Sequence, residues 1–387
     1  MLKGDPVSAS YDTIVVGLGA MGSAAVAHLA ARGQRVLGLE MFQPGHDQGS
    51  SHGYHRMIRT SSLADDGYVP LAERAFALWR ELEAAAAAPL LKMTGEVWLF
   101  DAANRPELRD LAARTISRGF RQPLSERDLA ERFPGFRLED GMQATHEAQA
   151  GYLRCEPGIL AHLALAARHG ATIRAGEEVT GWRGDGDGIL VTTRNGTYAA
   201  DRLVLTTGPW AAELLRGLDL PMRVGRRVNG FFRPTRPDRW SVERGAPDFL
   251  LDVAEGSFYG MPAVGDVGVK IGLSAGEMTT ARTIRRDIDD AEIDFLRGVL
   301  DRYLPGANGP ELRRITCMCT YTPDHDFIID CHPDEPRVVF ACGFSGRGYK
   351  FAPVIGEILA DLITIGESRH DITFLRANRF ASVAAAH

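Results

Sequence analysis

The strongest constraint on the fold of this chain is a strand–turn–helix–strand pattern over residues 11–40. An apolar run at residues 14–16 leads into the sequence GLGAMG, an alanine-rich helical pattern follows over residues 23–32, and a second strand is predicted over residues 35–39. With glycines at the first turn and an acid after the second strand, this pattern indicates a βαβ unit that binds a dinucleotide. A tight turn in an unrelated α/β protein is the alternative interpretation.

Each glycine of GLGAMG has a physical role in the first interpretation. Gly17 permits the tight turn, Gly19 allows the backbone to approach a pyrophosphate, and Gly22 lets the helix pack closely against the strand. The helix N-terminus presents unpaired N–H groups to the phosphates. Glu40 follows the second strand, where a carboxylate accepts the hydroxyls of an adenosine ribose. A dinucleotide cofactor is therefore expected at these residues.

Length and charge limit the classes of protein to consider. A chain of 387 residues is too long for one ordinary core, so two domains are expected. With 44 basic and 50 acidic side chains the net charge is −6, which is not the footprint of a nucleic-acid-binding protein. No apolar stretch reaches the length of a membrane span, and the N-terminus lacks a secretory pattern. We expect a cytoplasmic protein that binds neither nucleic acid nor membrane.

The cysteines predict neither disulfides nor a metal site. Their number, five, is odd, which argues against a disulfide framework. Cys317 and Cys319 are separated by one residue, whereas common zinc sites separate a cysteine pair by roughly two to four residues. No metal ion is expected.

The remaining sequence predicts two interleaved domains. Segments that extend the nucleotide-binding sheet are predicted at residues 171–174, 178–183, 188–193, 197–199, 202–210 and 338–341. Between them lie helical patterns at residues 106–117, 125–133 and 287–303 and strand patterns at residues 258–261 and 267–273. The nucleotide-binding domain is therefore assigned to residues 1–84, 150–215 and 323–387, and the second domain to residues 85–149 and 216–322.

A basic cluster follows the first βαβ unit. It contains His52, His55, Arg56 and Arg59, and the two arginines are three residues apart, so one helical turn would place them on the same face. Two guanidinium groups beside a nucleotide site suggest an anionic substrate or a developing negative charge. A solvated basic turn is the alternative.

The sequence VGVKIGL has the alternation of a strand. Val269 and Ile271 face one way, and Lys270 faces the other between Gly268 and Gly272. The two glycines would clear space beside Lys270 for a flat ring or a small ligand. An exposed strand lysine is the alternative.

A second glycine-rich loop lies near the end of the chain. It contains Gly343, Gly346 and Gly348, precedes Lys350, and leads into a helix whose apolar residues, three and four apart over residues 354–363, predict one buried face. The start of this helix could face a negatively charged ring edge, and Lys350 could pair with a carboxylate. A structural turn is the competing interpretation.

Taken together, these motifs resemble those of the monomeric sarcosine oxidase family. The sequences GLGAMG, GSSHGYHRMIR, VGVKIGL, TCMCT, DFIID and GFSGRGYKF occur in the family's order and rough spacing, and they cover nearly the whole chain. The resemblance implies an α/β, two-domain fold. A Rossmann-like FAD-binding domain of glutathione-reductase type would be joined to an interleaved substrate domain built on a mixed sheet.

The resemblance also implies roles for individual residues. Cys317 matches the cysteine bonded to the flavin, although an unreactive buried thiol is the alternative. Arg59 and Lys350 match the pair that binds the substrate carboxylate, while Arg56 and Lys270 match basic residues at opposite faces of the flavin ring, Lys270 being the one that promotes reaction with oxygen. The other residues expected at the cofactor or the substrate are Tyr259, His52, Ser51, Gly208, Gly17, Glu40, Gly343, Gly346 and Gly348.

The implied activity is that of an FAD-dependent oxidase of secondary amino acids, either N-methyl or cyclic. A hydride would pass from the carbon next to nitrogen to flavin N5, and oxygen would reoxidise the flavin, giving hydrogen peroxide and an imine that hydrolyses. The partners would be the small amino acid and O2, and the chain would act as a monomer. Two alternatives are a dehydrogenase that passes electrons to a carrier and a non-catalytic flavin-binding subunit.

Three positions depart from the sarcosine oxidases. Cys319 replaces a tyrosine two residues after the flavin-linking cysteine, Ser274 replaces a histidine four residues after Lys270, and His55 replaces a small hydroxyl residue. All three positions lie near the substrate in the family. Smaller groups at Cys319 and Ser274 would leave room for a bulkier substrate than sarcosine.

Overall fold

The computed structural model describes residues 8–61, 66–215 and 217–380. Numbered in chain order, the strands are β1 (Ser8–Val16), β2 (Val36–Glu40), β3 (His55–Arg59), β4 (Leu91–Met93), β5 (Glu96–Asp101), β6 (Gln122–Leu124), β7 (Met142–Glu147), β8 (Ala150–Arg154), β9 (Thr172–Ala175), β10 (Val179–Asp185), β11 (Gly188–Thr193), β12 (Thr197–Leu205), β13 (Arg223–Phe232), β14 (Asp248–Val253), β15 (Gly256–Met261), β16 (Val269–Leu273), β17 (Met278–Thr279), β18 (Glu311–Tyr321), β19 (Ile328–His332) and β20 (Glu335–Cys342). The α-helices are α1 (Ala20–Ala31), α2 (Tyr68–Ala86), α3 (Pro106–Ser117), α4 (Glu126–Arg132), α5 (Cys155–Arg168), α6 (Ala211–Leu214), α7 (Pro237–Trp240), α8 (Asp290–Tyr303) and α9 (Ala352–Thr364).

The first sheet contains the predicted βαβ unit. Its order is β10-β11-β12-β1-β2-β9, and β20 pairs with both β12 and β19. β1 lies parallel to β2 and β12, and β20 lies parallel to β12, so the carboxyl ends of these strands meet at one edge. Ligands of open α/β sheets bind outside that edge. On one face, α1 packs against α5 and α9.

The second sheet lies over a separate core. Its order is β17-β13-β16-β15-β14-β5-β7-β6, with β18 paired to β13. Ile293, Leu296 and Leu300 of α8 pack on its apolar face together with Phe258 and Ile271. Because strand side chains alternate, the opposite face of these strands is left for polar residues such as Lys270.

A third sheet, in the order β3-β8-β4, is small but holds part of the predicted site. Arg56 and Arg59 lie on β3, not on a helix, so the prediction that one helical turn aligns them is wrong. On a strand, residues three apart point to opposite faces. The reason for the difference is not local, since β3 forms by antiparallel pairing with β8, which is distant in sequence.

Two further predictions need correction. The segments expected at residues 197–199 and 202–210 form one strand that is continuous over residues 197–205. The final helix was expected to bury one face, yet residues 352–363 are all buried. Its polar side chains are neutralised inside the core, where Asp361 pairs with Arg32 at 2.7 Å and Glu357 pairs with Arg74 at 2.7 Å.

The third sheet joins parts of the chain that the sequence analysis assigned to different domains. β3 and β8 come from the predicted nucleotide-binding domain, and β4 comes from the predicted second domain. The proposed boundaries stay a prediction, and residues 1–7, 62–65, 216 and 381–387 of those ranges lie outside the described residues. Within the described ranges, none of the helices combines the length and the apolar character needed to cross a membrane.

Candidate active site and cofactor cleft

A cavity of about 710 Å³ is bordered by both large sheets and by the third sheet. The predicted site residues that line it are Gly17, Gly19, Glu40, Ser51, Arg56, Arg59, Gly208, Tyr259, Cys317, Gly346, Gly348 and Lys350. Gly22, His52, Lys270 and Gly343 were also predicted and are not among the residues that line the cavity. Segments that are far apart in sequence therefore meet at one cavity.

The first glycine-rich loop has the form that a phosphate cradle needs. Gly17 has a φ of +86°, and a Cβ on Gly22 would lie 1.8 Å from the carbonyl oxygen of Gly17. The turn thus requires glycine at position 17, and the close packing of the helix requires glycine at position 22. Gly19 is different, because the nearest atom to a Cβ there is Ser51 Oγ at an ordinary 3.6 Å. The space beside Gly19 opens on the cavity, as a bound pyrophosphate would require.

The N-terminus of α1 and Glu40 complete this end of the cavity. The first turn of α1 carries no acidic side chain, so nothing of its own neutralises the positive end of the helix dipole. The Glu40 carboxylate accepts hydrogen bonds from the backbone N–H of Leu18 at 2.7 Å and of Phe42 at 3.0 Å. These bonds hold it at the cavity wall, where a ribose would meet it. The residues present therefore fit the adenosine diphosphate half of FAD.

The late glycine-rich loop forms the opposite wall. Gly343 and Gly346 have positive φ angles of 67° and 74°. Gly348 faces Phe344 so closely that a Cβ would lie 2.6 Å from the Phe344 Cβ. The loop is thus fixed by its own packing, and Lys350 follows it in a short helical turn, Tyr349–Phe351.

Cys317 lies on β18 at the cavity wall and is 4% exposed. Its neighbour across the strand pair is Arg227 of β13. The Asn229 side-chain amide lies 3.8 Å from Cys317 Sγ and accepts a hydrogen bond from the Tyr259 hydroxyl at 2.9 Å. The thiol therefore borders the cavity next to the predicted substrate-facing tyrosine.

Lys270 is buried beside Arg56. Its ammonium donates to the carbonyl oxygens of Gly53 and His55, both at 3.0 Å. Burial, reinforced by the Arg56 charge, lowers the pKa of Lys270 to about 7. The predicted free space beside Lys270 is wrong at Gly272, where a Cβ would collide with Asn229 and Tyr259.

Arg56 is held by the backbone of its own segment. Its guanidinium donates to the carbonyl oxygens of Ser50 and His55, both at 3.0 Å. Burial works against its charge, yet neighbouring groups, first Cys155 and then Cys317, raise its pKa above the usual value. Arg56 is therefore a fixed cation in the cavity wall.

Arg59 belongs to a buried charge network that the sequence analysis missed. Its Nη1 donates to both carboxylate oxygens of Glu96, at 2.9 and 3.0 Å. Arg121 also contacts Glu96 and lies 3.2 Å from Glu147. Burial raises the pKa of Glu96, but Arg59 and Arg121 outweigh it and hold that pKa below the usual range. In the sequence, Glu96 could have been identified as a candidate because it is a charged residue next to the apolar run of β5.

Lys350 lies on the same side of the cavity as Arg59. Burial lowers the pKa of Lys350 to about 7, and the positive charges of Arg59 and Arg347 act in the same direction. A carboxylate placed between Arg59 and Lys350 would stabilise the charged form of Lys350. The two side chains can therefore form a two-point anion site, as the resemblance implied.

The two histidines near β3 are buried and neutral. Burial lowers the pKa of His52 and that of His55 to about 3. His55 packs edge-on against Tyr152, with ring centroids 4.6 Å apart. Neither histidine lines the cavity, whereas the two other departures from the family, Ser274 and Cys319, do.

Comparison with known proteins identifies the family of this chain. The model of the FAD dependent oxidoreductase family matches residues 12–362. Monomeric sarcosine oxidase of Streptomyces avermitilis is 38% identical over 388 residues, covering 98% of this chain and 100% of the relative. The chain belongs to the sarcosine oxidase family of FAD-dependent oxidoreductases. Peroxisomal sarcosine oxidase of Mus musculus is 34% identical over 97% of this chain and 98% of its own length.

The name of another relative contains an amino acid larger than sarcosine. N-methyl-L-tryptophan oxidase of Salmonella arizonae is 34% identical over 96% of this chain and 99% of its own length. Among solved structures, NikD, described as an unusual amino acid oxidase essential for nikkomycin biosynthesis, has a TM-score of 0.84 at 27% identity and covers 95% of this chain and 98% of its own. The predicted family and fold class are confirmed, and the chain is an FAD-dependent oxidoreductase.

Proposed function

We propose that this protein oxidises secondary amino acids, either N-methylated or cyclic, at the carbon next to nitrogen, with O2 as the electron acceptor. The observation that carries the proposal is the position of Arg59 and Lys350 in the wall of the cavity that also contains the residues proposed to bind FAD. Sarcosine and N-methyl-L-tryptophan, named in the relatives, both have a secondary amine next to a carboxylate.

FAD, when bound, supplies the hydride acceptor and returns the electrons to oxygen. The residues that would hold it are those of the first loop, Glu40 and the late loop. Arg56 would neutralise negative charge that develops at the ring. Arg59 and Lys350 would bind the substrate carboxylate, fix the orientation of the amino acid and keep its reacting carbon in place.

No carboxylate or histidine needs to remove a proton from carbon in this scheme. The lone pair of a neutral amine assists the loss of hydride, so the site must bind the substrate with its nitrogen unprotonated. The buried cation Arg56 favours that form, because a positive environment lowers the pKa of a bound ammonium group. The imine product then hydrolyses in water.

Lys270 would act in the reaction with oxygen. Reduction of O2 begins with an anion, superoxide, and a protonated amine nearby stabilises it. Lys270 contacts the carbonyl oxygens of Gly53 and His55, so its charge lies directly behind the wall that contains Arg56.

Cys317 would attach the flavin covalently through its sulfur. Its thiol lies at the cavity surface, and Arg227 is its neighbour across the strand pair. Acid precipitation of the purified holoenzyme tests this. The yellow colour should stay with the denatured chain of the wild type and leave it in Cys317→Ser; colour that is released from both would contradict the attachment.

Oxygen consumption with matched substrates tests the activity itself. N-methyl-L-alanine, sarcosine and L-pipecolate should support turnover with about one H2O2 formed per O2 consumed. N-methylethylamine, which lacks the carboxylate, should be poorer by at least about a hundredfold in kcat/KM. Equal rates with and without the carboxylate would contradict the proposal. We also propose that the enzyme acts as a monomer, in line with the name of its Streptomyces relative, and that it is cytoplasmic.

A further inference from the structure

A buried guanidinium without a counter-ion lies in the cavity wall. Arg227 is 9% exposed, and its Nε donates to the Tyr321 hydroxyl at 2.7 Å. The rings of Tyr321 and Tyr259 lie 5.4 and 5.9 Å from its Cζ. Within the described ranges, no carboxylate forms an ion pair with Arg227. Because a buried charge without a partner is costly, this arrangement calls for an anion that the chain itself does not supply.

The neighbouring arginine on the same strand, in contrast, is paired within the protein. Arg226 points to the other face of β13, where it donates to Glu292 at 2.6 Å and to the carbonyl oxygens of Arg285 and Asp287, both at 2.6 Å. In contrast, the Nη1 and Nη2 atoms of Arg227 have no acceptor in the described part of the chain. The fold thus provides full pairing for one arginine and leaves the fork of the other unpaired.

Arg227 is one of the residues that line the cavity. The backbone of Gly346 packs against its unpaired fork, where a Cβ would lie 2.7 Å from both Nη1 and Nη2. Ser274 and Cys319 line the same cavity and are small. The cavity therefore gives an anionic group access to Arg227.

Arg227 is separate from the other anion sites of the cavity. The proposed phosphate cradle lies at Gly19 and the start of α1, on the first sheet, whereas Arg227 belongs to the second sheet and contacts Tyr259 and Tyr321. The proposed clamp for the α-carboxylate uses Arg59 of β3 and Lys350. Arg227 and Arg59 thus belong to different sheets that border the cavity.

We propose that the substrate carries a second carboxylate and that Arg227 binds it. This inference rests on the proposed function and narrows its substrate class to dicarboxylic secondary amino acids. The second carboxylate would be either on the side chain or on the substituent of the nitrogen. A guanidinium fork accepts a carboxylate through two parallel hydrogen bonds, and the bond to Tyr321 fixes the plane of the fork.

Binding of unreactive thioether analogues to the oxidised holoenzyme tests this without any turnover. Thiodiacetate and methylthioacetate differ by a carboxylate on the substituent, and methylthiosuccinate and α-methylthiopropionate differ by a carboxylate on the side chain. Isothermal titration calorimetry should show that the dicarboxylate of one pair binds the wild type on the order of tenfold tighter than its partner. The pair that shows the difference identifies the position of the second carboxylate.

Substitution of Arg227 assigns the effect. Arg227→Gln should abolish the difference within the pair and leave the binding of the monocarboxylate within about threefold, and Arg227→Lys should keep part of the difference. Arg223→Gln removes the same charge from an exposed position of the same strand. This control should change neither the affinity difference within the pair nor the binding of the monocarboxylate. Loss of a buried unpaired charge is not expected to prevent folding.

The outcomes separate this inference from the proposed function. Equal binding within both pairs, or a difference that survives in Arg227→Gln, would overturn the inference. If Arg227→Gln loses affinity equally for both members of a pair, the inference is also overturned, because Arg227 would then bind the carboxylate that both analogues share. If no secondary amino acid reduces the flavin but the dicarboxylate preference depends on Arg227, the proposed function fails and the anion site stands.

Discussion

Arg59 donates through one terminal nitrogen to both carboxylate oxygens of Glu96, at 2.9 and 3.0 Å. Glu96 is fully buried, while Arg59 reaches the cavity. The ion pair therefore links the inside of the second sheet to the proposed substrate clamp. Among the described residues, Nε and the second terminal nitrogen of Arg59 have no acceptor, so they are available to the substrate. Glu96 is a positioning residue in this account.

The first prediction concerns this pair. Glu96→Gln should lower kcat/KM for a secondary amino acid about tenfold, mainly through kcat, because Arg59 loses the partner that orients it. In an Arg59→Gln background the same substitution should have little further effect. Steady-state kinetics of the two single variants and the double variant measure this coupling. Equal effects of Glu96→Gln in both backgrounds would show that Glu96 does not act through Arg59.

The second prediction concerns the pH dependence of carboxylate binding. The pKa of Lys350 is about 7 in the free protein. Above that pH Lys350 loses its proton, and an anion then binds only if the proton is taken up again. The Kd of methylthioacetate, which has no amine to titrate, should therefore rise up to tenfold per pH unit above pH 7.

Lys350→Met supplies the matched control for this measurement. The variant should bind methylthioacetate more weakly below pH 7 and should show no rise of Kd above it. A rise that persists in Lys350→Met would assign the titration to another group, of which Lys270, with a pKa of about 7, is the nearest candidate.

The third prediction separates the two half-reactions. Lys270→Met should leave anaerobic reduction of the enzyme by substrate within about threefold and slow the reaction of the reduced enzyme with O2 by about a hundredfold. Stopped-flow absorbance of the flavin follows both steps. In the wild type the oxygen step should itself slow as the pH rises through 7, because Lys270 becomes neutral. Rapid oxidation of the reduced variant by O2 would contradict the role of Lys270.

The fourth prediction concerns the first glycine-rich loop. Gly22→Ala places a Cβ 1.8 Å from the Gly17 carbonyl oxygen, so the variant should be destabilised by several kcal/mol, on the order of 3, and should retain little FAD. Gly298→Ala provides a matched control in α8, where a Cβ would have no atom within 4 Å. This control should gain about 0.5–1 kcal/mol, since alanine favours a helix interior. Chemical denaturation and the flavin content of the purified variants measure both effects.

The parts of the site that could be predicted from the sequence are those whose residues lie within one continuous motif. Gly17, Gly22 and Glu40 belong to one βαβ unit. Because the residues of this unit interact with near neighbours in the sequence, the spacing of the motif predicts its structure. The late loop could likewise be predicted from its glycines and the apolar helix behind it. In both cases the local sequence determines the local structure.

The rest depended on contacts between distant segments. β3 was mistaken for a helical turn because only its pairing with β8 makes it a strand. Arg227 and Glu96 each lie in a strand without a motif. Only the fold shows that Glu96 pairs with Arg59 and that no acid of the described residues pairs with Arg227. The burial of Asp361 within α9 could not be foreseen either, because its partner Arg32 lies far away in sequence.

The most direct test of the central claim is anaerobic mixing of the purified holoenzyme with individual secondary amino acids. We predict that at least one N-methyl or cyclic amino acid will bleach the flavin absorbance within seconds and that air will restore the absorbance with formation of H2O2. The Arg59→Gln variant, loaded with FAD, should require far higher substrate concentrations for the same bleaching. If no secondary amino acid bleaches the fully loaded wild type, the account of this site is wrong.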